Sequence, residues 1–307
     1  MSFAIGTIDI GGGKTAPALR VGGEVYPLDV LAAASGLALP KSALEIFDHW
    51  VDVFPKLEEL ARGIRDRKWA VEGLAPASVT LGKPVESRKV FCVGANYADH
   101  LREMGDPAER RAGQRPFFYL KPPTALSAPG NAVWIPGGCN NFDWEVEMVV
   151  VFGKGGSNIP EDRALSHIAG YTLGIDFTSR DQFIDPELIF KFHFVLGKCQ
   201  DRTAPIGPWI VPAAYLDGGN IDFSLDVNGV GKQSANTGSM LFSLAEQIAE
   251  VSRRVRIEPG DLMFTGSPAG VGLPRGEKLA PGDVVTARGR EIGMLQVGIE
   301  SAVTAYR

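Results

Sequence analysis

The last two thirds of the chain consist largely of short apolar runs bounded by glycine and proline. Runs of this length between turn residues are typical of β-strands. The 307 residues include 37 glycines and 21 prolines without any period, which excludes collagen and low-complexity sequence and favours a turn-rich β protein of the sandwich or barrel type. The predicted strands are Val90–Val93, Ala132–Ile135, Val146–Phe152, Tyr171–Ile175, Trp209–Val211, Ile221–Val227, Asp261–Phe264 and Val284–Ala287.

The amino-terminal region has a different pattern. A helical stretch is predicted from Ser42 to Arg67, which Pro55 kinks or divides. An extended crossover rich in proline and small residues follows, so we predict a small α+β domain over 1–80 and a larger domain over 81–307. The other predicted elements are strands at Phe3–Ile10 and Ala18–Tyr26, and helices at Glu161–Ile168 and Met240–Arg253.

Charge and composition exclude several classes of protein. The net charge is −5 and the isoelectric point is near 5.5, whereas a nucleic-acid binder needs a basic face. We expect no secretory signal and no membrane contact, because the amino terminus lacks a cationic segment and no apolar run is long enough to span a bilayer. The three cysteines are odd in number and widely spaced, which argues against a disulfide framework. A cytoplasmic protein is the expectation, and a local basic pocket for an anionic small molecule stays open.

Three carboxylates are the first candidates for chemistry. Side chains alternate along a strand, so Glu145 and Glu147 point to one face, about 7 Å apart. An E-x-E pair is also typical of a solvent-facing strand, but the apolar run that follows at once favours a core strand, where unpaired carboxylates are costly. Asp176 ends another apolar strand and either caps a turn or completes an oxygen-rich site, which would suit Mg²⁺, Mn²⁺ or Ca²⁺.

The segment after the first strand of the larger domain predicts a short helix. Asn96 can cap it, and His100 and Glu103 then share one face at i, i+3, so that the carboxylate can orient the imidazole. A surface ion pair is the alternative. The stretch from Asp106 to Pro116 carries Arg110, Arg111 and Arg115 among small residues, which is typical of a mobile basic lid.

Six ordered motifs between Lys89 and Ile299 resemble the fumarylacetoacetate hydrolase family. The resemblance implies an α+β, mostly β fold, with a mixed β-sandwich roll as catalytic domain after a small α+β amino-terminal domain, and a homodimer. The motifs are GANYADHLREMG, FYLKPPTAL, DWEVEMVVVFGKG, GYTLGIDFTSRD, APIGPWIV and FTGSPAGVG. Matched residue by residue, they imply metal ligation by Glu145, Glu147 and Asp176, catalysis by His100, Glu103 and Lys121, and substrate contacts by Arg180, Lys198 and Thr265.

The resemblance implies a divalent-metal-dependent hydrolase with Mg²⁺, Mn²⁺ or Ca²⁺ as cofactor. It would cleave a carbon–carbon bond of a small anionic 2-oxo or diketo acid, such as an acylpyruvate or a diketo-deoxy sugar acid. Arg180 and the lid arginines would then hold a substrate carboxylate. Decarboxylation of a β-keto acid such as oxaloacetate, isomerisation, and hydration of 2-oxo acids are alternatives on the same machinery. A non-catalytic binding module is a further alternative. Such a module would be expected to have lost a metal carboxylate or a member of the His100–Glu103 pair, and this sequence keeps all of them.

The sequence departs from the family pattern beside the predicted metal site. Ile175 stands where the family often has asparagine, and Phe183 stands where it often has glutamine. The segment from Phe183 to Phe194 also carries Phe190 and Phe192. We interpret these rings as core, with a wall of the substrate pocket as the alternative.

Overall fold

The computed structural model describes residues 2–106, 110 and 113–301. The strands are β1 (Ala4–Asp9), β2 (Thr15–Val21), β3 (Glu24–Pro27), β4 (Val90–Gly94), β5 (Phe117–Lys121), β6 (Leu126–Ser127), β7 (Val133–Trp134), β8 (Phe142–Asp143), β9 (Val146–Phe152), β10 (Ile168–Ile175), β11 (Thr178–Ser179), β12 (Ala204–Pro212), β13 (Asp222–Val227), β14 (Val230–Asn236), β15 (Leu262–Phe264), β16 (Val284–Gly289) and β17 (Gly293–Glu300). The helices are α1 (Leu28–Ser35), α2 (Ala43–Asp48), α3 (Trp50–Arg65), α4 (Ala98–Glu103), α5 (Glu161–Ala164), α6 (Arg180–Phe183), α7 (Phe194–Lys198) and α8 (Leu244–Ser252).

Two large sheets carry the described residues. The larger has the order β3-β2-β1-β12-β10-β9-β15-β4-β5, with β6 beside β12, and the smaller has the order β14-β13-β16-β17-β7. Met148 and Val150 of β9 belong to a core cluster shared with the smaller sheet, whereas Val149 and Val151 belong to one shared with α2 and α3. Both faces of β9 are therefore covered, which explains its unbroken apolar sequence.

The amino-terminal elements extend the larger sheet. β1 pairs with β12 in antiparallel register, with Ile5 opposite Ile210. The domain boundary near residue 80 stays a prediction. Among the described residues no helix is both long and apolar enough to cross a membrane, and the three cysteines are free.

Two amino-terminal predictions were wrong in detail. The predicted strand Ala18–Tyr26 is two strands, because Gly22 and Gly23 have φ of 62° and 92° and form a tight hairpin turn. The predicted helix Ser42–Arg67 divides at His49 and not at Pro55. Pro55 lies in the second turn of α3, where one backbone hydrogen bond is lost while the buried face of the helix continues to pack. Helix α1 was not predicted.

Candidate active site

The three predicted metal carboxylates converge where β9 begins and β10 ends. The strands are antiparallel, with Gly174 opposite Glu147, and the backbone N–H of Asp176 donates to the carbonyl of Glu145 at 2.7 Å. One oxygen from each of Glu145, Glu147 and Asp176 lies within 4.8 Å of the others. All three residues are buried, so the solvent-facing alternative for the E-x-E pair does not hold.

The pKa values of Glu145 and Glu147 are shifted in opposite directions. Burial opposes ionisation of Glu145, but the charges of Lys198 and Arg180 outweigh it and lower its pKa to about 2. Burial and the neighbouring carboxylates of Asp176 and Glu145 raise the pKa of Glu147 well above its usual value. Among the described residues, Glu147 has no ion-pair partner, and its Oε2 accepts only the backbone N–H of Gly266, at 2.6 Å.

This donor set fits a hard divalent cation. Three carboxylates held within one small space repel each other, and a cation between them would remove that repulsion. Oδ1 of Asp176 receives no directed hydrogen bond within the described residues, although Nζ of Lys121 lies 2.6 Å away. Oxygen-only ligation suits Mg²⁺, Mn²⁺ or Ca²⁺ rather than zinc, which prefers nitrogen and sulfur ligands.

Two buried lysines lie against the carboxylates. Nζ of Lys198 is 2.6 Å from Oε2 of Glu145 and 2.9 Å from Oδ2 of Asp176. Lys121 pairs with Asp176 and also donates to the backbone carbonyl of Lys198, which ties β5 to the end of α7. Burial opposes the charge of Lys198, but Asp176 and Glu145 outweigh it and raise its pKa. Both lysine side chains thus lie directly against the triad.

Arg180 is held from both sides. Its Nε donates to Asp143 at 2.8 Å and one terminal nitrogen donates to Glu145 at 2.7 Å. Asp143 is fully buried and also accepts the backbone N–H groups of Gly272 and Leu273, at 2.7 and 3.1 Å. Asp143 is a residue that sequence reasoning missed, although it stands two positions before Glu145 in the same sequence motif.

Tyr119 is a second residue that was missed. Its hydroxyl donates to Oδ2 of Asp176, and burial together with that carboxylate raises the pKa of the phenol well above its usual value. The signal was available in the sequence, because Tyr119 stands two positions before Lys121 on β5 and side chains two apart share a face.

The predicted dyad forms. On α4, Nδ1 of His100 lies 2.8 Å from Oε1 of Glu103, and both side chains are mostly buried, so this is not a surface ion pair. Oε2 of Glu103 accepts the backbone N–H of Gly270 at 2.8 Å. A protonated His100 would also lower the pKa of Glu145, which links α4 electrostatically to the carboxylates. With Nδ1 directed at Glu103, Nε2 is the nitrogen left for chemistry.

Asn96 does not cap α4 as predicted. Its side-chain amide donates to the carbonyl of Thr265 at 2.7 Å, and its side-chain oxygen accepts the backbone N–H of Phe242 at 2.9 Å. Tyr97 occupies the cap position without a side-chain bond. The Asn96 side chain bonds to these distant backbone groups rather than to the start of α4, because buried backbone groups need hydrogen-bond partners.

Thr265 contacts the protein backbone in this structure, and its predicted substrate contact stays a prediction. Its hydroxyl donates to the carbonyl of Met148 at 2.8 Å, and the residue is fully buried. Thr265 instead fixes the backbone from which Gly266 donates to Glu147. Gly266 has φ of +100°, and a Cβ there would lie 2.7 Å from Cβ of Asn96, so only glycine fits.

The described part of the predicted lid lies against α8. Arg110 donates to Glu246 at 2.6 Å, and Arg115 lies 3.6 Å from Glu250. These carboxylates engage both arginines in this structure, and the role of the lid arginines in holding a substrate carboxylate stays a prediction. Arg111 lies outside the described residues.

The aromatic segment is not core. Phe190 is 77 % exposed and Phe192 is 52 % exposed. Phe194 is half-buried and contacts the ring of Tyr119, with centroids 5.2 Å apart. The core interpretation was therefore wrong for the two exposed rings: they stand on a short segment outside the sheets, and no apolar layer covers them among the described residues.

Comparison with known proteins identifies the family. Residues 89–300 match the family model described as fumarylacetoacetate (FAA) hydrolase C-terminal. The chain belongs to the fumarylacetoacetate hydrolase family. The match covers the triad, the dyad and the lysines, and the predicted α+β, mostly β fold is confirmed.

Three members of the fumarylacetoacetate hydrolase family illustrate the chemistry of its relatives. Oxaloacetate tautomerase Fahd2a of Rattus norvegicus is 34 % identical over 281 residues, 90 % of this chain and 83 % of its own. The 2,4-didehydro-3-deoxy-L-rhamnonate hydrolase of Sphingomonas sp. is 36 % identical over 224 residues, 71 % of this chain and 74 % of its own. Fumarylpyruvate hydrolase of Pseudomonas aeruginosa, solved with Mn²⁺ and pyruvate, is 34 % identical with a TM-score of 0.64, covering 73 % of this chain and 92 % of its own.

Proposed function

We propose that the protein is a divalent-metal-dependent hydrolase that cleaves the carbon–carbon bond of an acylpyruvate or related 2,4-diketo acid. The observation that carries the proposal is the mostly buried His100–Glu103 pair, which is linked electrostatically to a triad of carboxylates that fits a divalent cation. A binding protein would need the carboxylates, but it would not need an imidazole polarised by a buried glutamate.

A cation at Glu145, Glu147 and Asp176 would supply Lewis-acid polarisation of the 2-oxo acid oxygens and stabilise negative charge on them. The buried cations Lys121 and Lys198 would lower the energy of the same negative charge, because ion–ion interactions are strong where water is excluded. Asp143 keeps the guanidinium of Arg180 directed at Glu145 and thereby holds that carboxylate in place.

The dyad would activate water. With Nδ1–H donated to Glu103, Nε2 of His100 accepts a proton from a water molecule, whose oxygen forms a bond to the carbonyl carbon farther from the carboxylate. The bond between that carbon and the methylene carbon then breaks, and its electron pair passes to the methylene carbon of the pyruvate enolate. His100 returns the proton to that carbon. One diketo acid and one water give pyruvate, the second carboxylate and a proton released to solvent.

The test is turnover of acetylpyruvate with Mn²⁺, with pyruvate and acetate identified by mass. We expect His100→Ala to lower the rate by about 10²–10⁴-fold while Mn²⁺ binding, measured by calorimetry, is unchanged. His49→Ala is the matched control, because His49 is exposed at the junction of α2 and α3. Full activity of a metal-stripped sample, or of His100→Ala, would contradict the proposal.

Oxaloacetate tautomerisation is the second candidate, and the rat relative, which matches over 90 % of this chain, favours it. Tautomerisation moves a proton between carbon and oxygen and needs no added water. Isotopically labelled water therefore separates the two reactions: hydrolysis places its oxygen in the released acid, whereas tautomerisation leaves the carbon skeleton whole. Release of carbon dioxide would instead indicate a β-keto-acid decarboxylase.

We also propose that the protein is a cytoplasmic homodimer, for which sedimentation velocity of the purified protein tests the oligomeric state and fractionation of cells tests the compartment.

A further inference from the structure

Five aromatic side chains form a continuous cluster that begins at the carboxylate triad. The ring of Phe194 is at its centre, with centroid distances of 4.9 Å to Phe183, 5.2 Å to Tyr119, 5.6 Å to Phe117 and 5.8 Å to Phe192. Tyr119 joins the cluster to the triad, because its hydroxyl donates to Asp176. We call these five residues the aromatic cluster.

β5 and α7 arrange charged and aromatic groups in the same order. On β5, Lys121, Tyr119 and Phe117 share one face, with the lysine at Asp176 and Phe117 farthest along the strand. On α7, Lys198 lies at the triad, and Phe194 stands four residues earlier on the same side of the helix, about 6 Å along its axis. In each element an aromatic residue stands two or four positions before the cation: Tyr119 contacts Asp176 directly, and Phe194 contacts the ring of Tyr119.

α6 repeats this order. Arg180 begins the helix and binds Glu145, and Phe183 ends it against Phe194. α6 and α7 approach closely at Gly197, where a Cβ would lie 2.4 Å from the ring of Phe183. This contact fixes the ring of Phe183 beside that of Phe194.

The outer side of the cluster is accessible. Phe117 and Phe192 are 50 % and 52 % exposed. Gly94, the last residue of β4, pairs with Phe117. A Cβ at position 94 would lie 2.9 Å from the ring of Phe117, so a larger residue there would displace the ring. Exposed contiguous aromatic surface beside a polar site is typical of a ligand-binding wall.

We propose that the aromatic cluster binds an apolar substituent on the acyl end of the substrate, so that the preferred substrates are acylpyruvates whose acyl group is aryl or bulky alkyl. This inference rests on the proposed function, since it assumes that the 2-oxo acid end lies at the triad. A second carboxylate would suit this wall poorly, because the five side chains that form it are aromatic and offer no cation to pair with it.

The test compares two stable ligands that differ only in a ring. Oxamate carries the 2-oxo acid-like end, and N-phenyloxamate adds a phenyl group at the position of the acyl substituent. In calorimetry with the Mn²⁺-loaded protein, we expect N-phenyloxamate to bind about tenfold more tightly, with a more negative heat-capacity change from apolar burial. Equal affinities of the two ligands would overturn the inference.

Variants locate the contact. Phe194→Ala is expected to reduce the advantage of N-phenyloxamate to about twofold while oxamate binding stays unchanged. Phe194→Leu, which keeps an apolar side chain, guards against a folding defect. Val195→Ala is the matched control, because Val195 is 61 % exposed on the same helix. Equal loss for both ligands, or a change of oligomeric state on sedimentation, would instead make the cluster a structural or subunit contact and overturn the inference.

The result also separates this inference from the proposed function. If oxamate binds and N-phenyloxamate binds no better, only the aromatic wall is overturned. If neither ligand binds with Mn²⁺ present, both the proposed function and the wall are overturned. A matching preference for benzoylpyruvate over acetylpyruvate in turnover would support both.

Discussion

Asp143 and Arg180 form a buried ion pair, with 2.8 Å between Oδ2 of the aspartate and Nε of the arginine. The aspartate accepts two backbone N–H groups from the loop after β15, and the arginine continues the chain of contacts to Glu145. The pair therefore couples a loop to a metal carboxylate.

Removing Asp143 is expected to destabilise the fold strongly. Asp143→Ala leaves Nε of Arg180 and three backbone N–H groups without this acceptor, and breaking a buried pair costs about 3–5 kcal/mol. Urea unfolding measures the loss. Asp143→Asn keeps the side-chain shape and should cost less. An Asp143→Ala variant as stable as the native protein would show that Arg180 is held by other groups.

Divalent cations are expected to stabilise the protein through the triad. A ligand that binds only the folded state adds about 2.7 kcal/mol at a concentration of 100 times its Kd. The thermal midpoint should rise with Mn²⁺, fall back with a chelator, and respond little in Glu147→Gln. Glu250→Gln is the matched control, because Glu250 is similarly buried but pairs with Arg253 outside the triad. A full Mn²⁺ response in Glu147→Gln would remove that residue from the site.

Local periodicity predicted which side chains of the candidate site are neighbours, whereas their roles came from the resemblance to the family. Glu145 and Glu147 share a face because strand side chains alternate, and His100 meets Glu103 because residues three apart are neighbours on a helix. Both relations involve one element. They could therefore be predicted before any tertiary contact was known.

The contacts that were not predicted join distant parts of the chain. Asp143 finds the backbone N–H of Gly272, 129 residues later, and Asn96 finds Phe242, 146 residues later. Capping is a local rule, and it failed for Asn96 because buried backbone groups elsewhere required the amide. The exposure of Phe190 was likewise set by where its segment lies and not by its composition.

Glu103 is expected to make stability depend on pH. Burial alone would raise its pKa, but hydrogen bonds from His100 and the backbone of Gly270 outweigh burial and lower it below 4.5. A carboxyl with a lowered folded pKa stabilises the protein above its unfolded pKa, and that contribution is lost as pH falls through the folded value. The destabilisation caused by Glu103→Gln should therefore be fully present above pH ~5 and shrink as the pH falls below ~4.5 in urea unfolding. A difference that grows as pH falls would contradict this assignment.

Gly266→Ala is expected to damage both stability and metal affinity. The residue has φ of +100°, and the added Cβ would lie 2.7 Å from Cβ of Asn96 and 3.3 Å from the carbonyl of Val93. Backbone strain of this kind costs about 1–3 kcal/mol, and displacement of the Gly266 N–H would release Oε2 of Glu147. Gly229→Ala is the matched control, because Gly229 has φ of +78° with open space at its Cβ. Thermal unfolding should show a lower midpoint in both variants. Calorimetry should show weaker Mn²⁺ binding only in Gly266→Ala. Unchanged Mn²⁺ affinity in Gly266→Ala would show that Glu147 does not depend on this backbone donor.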